Sequence, residues 1–157
     1  MPNQSQNVNL LTPEAILRTS KLLWSAFSAM QVGLAIVVNF VAPRGELTLD
    51  GYLGNPVALA LAGVGIATFF AAFQVPGLMA RATEAQSQAK PGGAEQLRLQ
   101  AVFTRFIVRL VMMEFPGLMG FVTAVVMQNS LYAYPLIALA FVGIFLAKPA
   151  DDMFAAR

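Results

Sequence analysis

Residues 105–127 read RFIVRLVMMEFPGLMGFVTAVVM, a predominantly apolar run that starts with Arg105 and Arg109 and carries one carboxylate, Glu114, near its centre. Coiled as an α-helix at about 1.5 Å per residue, a run of this length crosses a hydrocarbon core roughly 30 Å thick. A carboxylate at that depth is costly. It is tolerated where it faces a partner helix or a wet cavity, and it marks a functional site by default. At about 100° per residue, Leu110, Gly117, Leu118 and Phe121 share its face. Gly117 lets a neighbouring helix approach the carboxylate. Pro116 has no N–H to donate and so frees the carbonyl of Met112 one turn earlier. Arg109 is the nearest cation, but five residues put it about 140° around the helix. Arg105 and Arg109 are expected to reach towards the cytoplasm instead.

Working outward, three more runs have this character. The composition agrees: 57% of the 157 residues are hydrophobic and 11% charged, against roughly a quarter charged in a soluble domain. The chain reads as one all-α membrane domain over 1–157, with four transmembrane helices at about 22–41, 57–79, 105–127 and 131–147. Residues 1–20 form a polar N-terminal segment without the charged start of a signal peptide. Within it, Thr12-Pro13-Glu14 predicts a helix start, with Thr12 as N-cap and Pro13 in the first position. Ala42-Pro43-Arg44-Gly45 ends the first span, and a short loop runs to Asn55-Pro56. The second span begins with the small residues Ala58, Ala60, Ala62, Gly63, Gly65 and Ala67. Such residues let helix backbones touch in lipid, and Gly63 and Gly65 are the candidate packing positions. Residues 81–100 form a polar loop that Lys90-Pro91-Gly92-Gly93 breaks into two amphipathic pieces.

Nine of the ten lysines and arginines lie before the first span, at the central loop and its helix entry, or after the last span; Arg44 alone lies on the other side. The positive-inside rule therefore puts both termini and the 81–100 loop in the cytoplasm, as in a bacterial-type inner membrane.

The chain also reads as a tandem duplication of a helical hairpin. ALAGVGI at 60–66 matches ALAFVGI at 138–144 in six of seven places. Met30-Gln31-Val32-Gly33-Leu34 lies on Met113 to Leu118, with Pro116 inserted, so Gln31 takes the place of Glu114. Gln31 and Gln74 are the candidates for hydrogen bonding to Glu114.

LALAGVGIATFFAAF at 59–73, a polar loop, and VMMEFPGLMGFVTAVVM at 111–127 together resemble the proteolipid (c-ring subunit) of rotary ATPases over about half of the chain. The central loop departs from that family in lacking a compact Arg-Gln-Pro-like turn. The resemblance implies a small-residue helix lining a ring, with Gly63 and Gly65 in close packing. It implies that Glu114 carries a proton or sodium ion past a stator arginine.

The chain contains no cysteine and no histidine. Disulfides, thiolate chemistry and imidazole metal sites are therefore excluded. No catalytic constellation is visible, so an enzyme is not expected, nor a cofactor or metal. Basic residues are not interleaved with aromatics as nucleic-acid binding requires. The expected partners are the lipid bilayer and other membrane subunits, in a homo-oligomer or a larger complex. Two functional readings remain open. One is a subunit that binds or relays a proton or cation at Glu114. The other is a structural subunit in which the acid only fixes helix packing.

Overall fold

The computed structural model describes residues 12–89, 94–150 and 153, with side chains at 12–82, 95–150 and 153. Residues 1–11, the Lys90-Pro91-Gly92-Gly93 break and Arg157 lie outside the described residues. Within them the chain is all helical.

Helix α1 spans Pro13–Val41. The Thr12 hydroxyl accepts from the Ala15 amide at 3.2 Å, and Pro13 and Glu14 occupy the first turn. Pro43 holds the preceding Ala42 in an extended conformation, which ends the helix. In place of the expected plain loop, a short helix α2 forms over Leu49–Gly54. Its signal is local, because the Thr48 hydroxyl accepts from the Gly51 amide at 3.1 Å and Asp50 sits in the first turn. Helix α3 covers Pro56–Ala89, and Asn55 Oδ1 accepts from Val57 and Ala58 at its start.

Helix α4 covers Ala94–Met127. Both α3 and α4 run through an internal proline, Pro76 and Pro116, and both extend well into the polar segment at 81–100. Good helix formers such as Ala, Met and Arg carry α3 past Pro76. Gln128, at φ 50°, leaves the helical region after α4. A 3₁₀ turn at Ser130–Ala133 then leads into helix α5, Tyr134–Leu146, with Pro135 in its first turn.

Helices α1, α3 and α4 are each long and apolar enough to cross a membrane, and the turn plus α5 make a shorter apolar run, Ser130–Leu146. This is the make-up of an integral membrane protein. The most apolar stretch of α4 is 44% buried, against 22% for α3 and 11% for α1. So α4 is the centre of the bundle, and α1, α3 and α5 surround it.

Three apolar clusters form along α4, the smallest where Ile16 of α1 meets Leu99. Towards the α3–α4 turn, Phe106, Leu110 and Met113 pack with Ala72, Ile144 and Ala147, and Leu23, Trp24 and Phe27 of α1 close over them. At the other end, Ala124 packs with Val38, Ala42, Ala133 and Ile137. The Trp24 indole donates to the Ile144 carbonyl at 2.8 Å, tying the end of α5 to the early turns of α1.

The halves do not pack as equivalent hairpins. Among the described residues no Cα of α1 comes within 8 Å of one in α3, whereas α4 and α5, the corresponding pair, are in contact. The matched glycines nevertheless both face α4. A Cβ on Gly65 would meet Pro116 Cα at 3.3 Å, and one on Gly143 would meet Met113 Cβ at 3.1 Å.

Candidate functional site

Between the two larger apolar cores, the side chain of Gln31 on α1 lies against the α4 backbone at Glu114 and Gly117. Gln31 is fully buried and Glu114 is 4% exposed. Gln31 Nε2 donates to the main-chain carbonyl of Glu114 at 3.4 Å, a long bond that does not involve the carboxylate. Gly117 makes this approach possible. A Cβ there would stand 2.7 Å from both Cδ and Nε2 of Gln31, so the amide lies directly on the glycine backbone. Pro116, almost fully buried, sits under the same crossing and also receives Gly65 of α3.

Thus the structure brings Gln31, Glu114 and Gly117 into one place. It does not bring Gln74 there. That residue is exposed on α3, and among the described residues no hydrogen bond joins it to Glu114. The candidate glycines of the second span also separate. Gly65 is buried against α4, whereas Gly63 is exposed and a Cβ there meets nothing within 4 Å. Two residues turn a helix by about 200°, so the two glycines face opposite ways.

The polar bookkeeping of the crossing is incomplete. Glu114 Oε1 and Gln31 Oε1 are both buried without a hydrogen-bond partner. Both atoms are acceptors, so the place is rich in lone pairs and short of a donor. Gln31 also borders a groove of about 730 Å³ between α1 and α5, which runs to Asn39, Tyr134 and Arg44. There Asn39 Oδ1 accepts from the Tyr134 hydroxyl at 2.9 Å and from Arg44 Nε at 3.3 Å. Among the described residues no group of three acidic, histidine or cysteine side chains comes together as a metal site.

Sequence reasoning missed a second polar cluster, on the loops at the Arg44 end of the bundle. Asn129 Oδ1 accepts from the amides of Gly45 at 3.1 Å and Leu131 at 3.0 Å, and its Nδ2 donates to the Glu46 carbonyl at 2.9 Å. The Ser130 amide donates to the Pro43 carbonyl at 2.8 Å. Tyr132 reaches Thr48 through its hydroxyl, while the Tyr52 hydroxyl donates to the Tyr132 carbonyl. The Tyr52 and Tyr132 rings meet edge to face at 4.8 Å. Burial, and then the neighbouring Tyr132, push the Tyr52 phenol above its ordinary 10.0. The available signal was Asn129-Ser130 directly after a long apolar helix, a capping pair.

No protein-family model, no curated protein and no solved structure matches this chain.

Proposed function

We propose that this chain is a small membrane subunit that reversibly binds a proton at Glu114, with Gln31 as its polar neighbour. The observation that carries this reading is the pair of buried, partnerless acceptors, Glu114 Oε1 and Gln31 Oε1, where α1 crosses α4. A proton on the carboxylate supplies the donor that the crossing lacks. The carbonyl of Met112, which Pro116 deprives of its usual helical donor, is a further free acceptor in the same stretch of α4, two residues before Glu114. One carboxylate with a few neutral oxygens suits a proton better than a divalent cation, which takes roughly six to eight oxygen ligands when it is calcium. The proteolipid resemblance points to the same role for Glu114 and adds a homomeric ring as one form of the assembly.

In this reading the chain crosses the membrane four times. The charge distribution supports cytoplasmic termini and a cytoplasmic α3–α4 turn. The fourth crossing uses Ser130–Leu146, seventeen residues, at the lower limit of about 17 for a span. The outward faces of α1 and of α3 around Gly63 are then available to lipid or to other subunits.

A specific observation favours the structural alternative. Gln31 donates to the main chain of Glu114, a bond that holds α1 to α4 whatever the state of the carboxyl. Labelling by a hydrophobic carbodiimide, which attacks protonated carboxyls, separates the two. Proton binding predicts modification at Glu114, located by mass spectrometry, that falls as pH rises. Labelling that stays constant with pH, or that misses Glu114, favours the structural role.

A further inference from the structure

A second cavity, lined by both basic and apolar residues, lies at the bundle end where α3 finishes and α4 begins, apart from the Glu114 crossing. Its volume is about 390 Å³, and its lining includes Val102, Arg105, Phe106 and Arg109 of α4, Pro76 of α3, and Lys148 just after α5. Arg105 and Arg109 stand one turn apart on α4, a spacing at which like charges repel. Their Nε atoms are buried without hydrogen-bond partners. Among the described residues no carboxylate pairs with either arginine or with Lys148. Asp151 and Asp152 follow in the sequence and lie outside the described residues.

Aromatic rings hold two of these cations in place. The Arg109 guanidinium carbon is 5.4 Å from the ring centre of Phe73 on α3, and Lys148 Nζ is 5.9 Å from that of Trp24 on α1. A ring face offsets part of a cation's lost hydration and leaves its N–H groups free to donate.

We propose that this cavity binds a phosphate-bearing anion, with Arg105 and Arg109 donating to its oxygens and Lys148 supplying the third charge. Guanidinium forks match phosphate oxygens two at a time, and an anion between the arginines removes their mutual repulsion. An anionic phospholipid headgroup and a free phosphate share this chemistry. Basic pockets between membrane helices are headgroup sites in general, and the apolar walls of Val102, Phe106 and Pro76 suit the lipid portion beside a phosphate.

Trp24 is the sole tryptophan of the chain. Because Lys148 lies over its ring, its fluorescence reports on the cavity. The full chain is reconstituted in phosphatidylcholine vesicles with increasing phosphatidylglycerol. Separately, in neutral detergent, it is titrated with sodium phosphate against sodium chloride of matched ionic strength. A saturable Trp24 response to phosphatidylglycerol alone identifies a headgroup site; a response to phosphate as well identifies a site open to the free anion. In either case Arg105→Gln with Arg109→Gln shifts the midpoint about tenfold or more. Arg105→Lys with Arg109→Lys keeps the charges and gives an intermediate midpoint, and it carries the test if the glutamine variant does not fold. No response in either titration overturns the proposal. So does a response whose midpoint both double variants leave unchanged.

Discussion

The loop cluster around Asn129 and the crossing of Gln31 with Glu114 are both buried and polar, but they are built in opposite ways. At the loops, each polar atom of the Asn129 side chain has a partner, and Tyr52, Tyr132 and Thr48 are linked by hydrogen bonds; Ser130 Oγ is the exception. At the crossing, one long hydrogen bond to the main chain is made, and two buried oxygens are left over. A satisfied network rigidifies, whereas a buried acceptor without a partner costs free energy that the surrounding fold must offset. The first arrangement therefore belongs to stability. The second fits the proton-binding role proposed for Glu114.

This contrast is most easily broken at Asn129. Asn129→Ala strands two amides and a carbonyl, and the expected loss is about 2–4 kcal/mol of stability by the cost of unsatisfied buried groups. Thermal unfolding in detergent measures it. A loss under about 0.5 kcal/mol, the scale of ordinary surface substitutions, would remove the loop cluster from the account.

The glycines of α3 give the next largest effect. Gly65→Leu drives a side chain into Pro116 and Met119 and is expected to cost roughly 1–3 kcal/mol, as overpacking does. Gly63→Leu projects outward and stays within about 0.5 kcal/mol in the isolated chain. If Gly63→Leu instead disperses an oligomer seen by size-exclusion chromatography, the outer face of α3 is a subunit contact.

Gln31→Leu sharpens the comparison from the other side. Gln31 makes one hydrogen bond at 3.4 Å, and such bonds within membranes are worth about 0.6 kcal/mol on average. The variant is expected to cost less than about 1 kcal/mol, well below Asn129→Ala. Equal losses at the two sites would mean that the crossing is a structural network too.

The smallest effect is a pH dependence at the loops. Tyr52 donates its hydroxyl proton to the Tyr132 carbonyl, and its titration is displaced upward from the ordinary 10.0. Its contribution to stability is therefore fully present below pH 10 and is lost as pH rises through the folded-state value. Phenolate absorbance should show a late-rising component, and Tyr52→Phe should remove it.

Much of this architecture was legible because one-dimensional signals determine it. The Thr12-Pro13-Glu14 start and the Pro43 stop act within a few residues, and apolar run length picks out the long helices. The meeting of Gln31, Glu114 and Gly117 was partly legible, because a glycine one turn from a buried acid marks where a helix draws near. What sequence left out depends on the packing of distant segments. Gln74 looked equivalent to Gln31, yet α3 turns it away from α4 while α1 turns Gln31 towards it. Gly63 and Gly65 looked like one seam, yet the helix period sets them on opposite faces. The Asn129 cluster joins loops more than eighty residues apart, which local periodicity does not report.

The central claim is that Glu114 exchanges a proton within the folded bundle. Infrared difference spectra of the reconstituted chain, recorded as pH is stepped from acid to alkaline, test it directly. The account predicts a protonated-carboxyl stretch that disappears reversibly as pH rises and is absent from Glu114→Gln, while that variant retains the helical amide bands of the parent. A carboxyl band unchanged across the range, or an identical titrating band in Glu114→Gln, would contradict it.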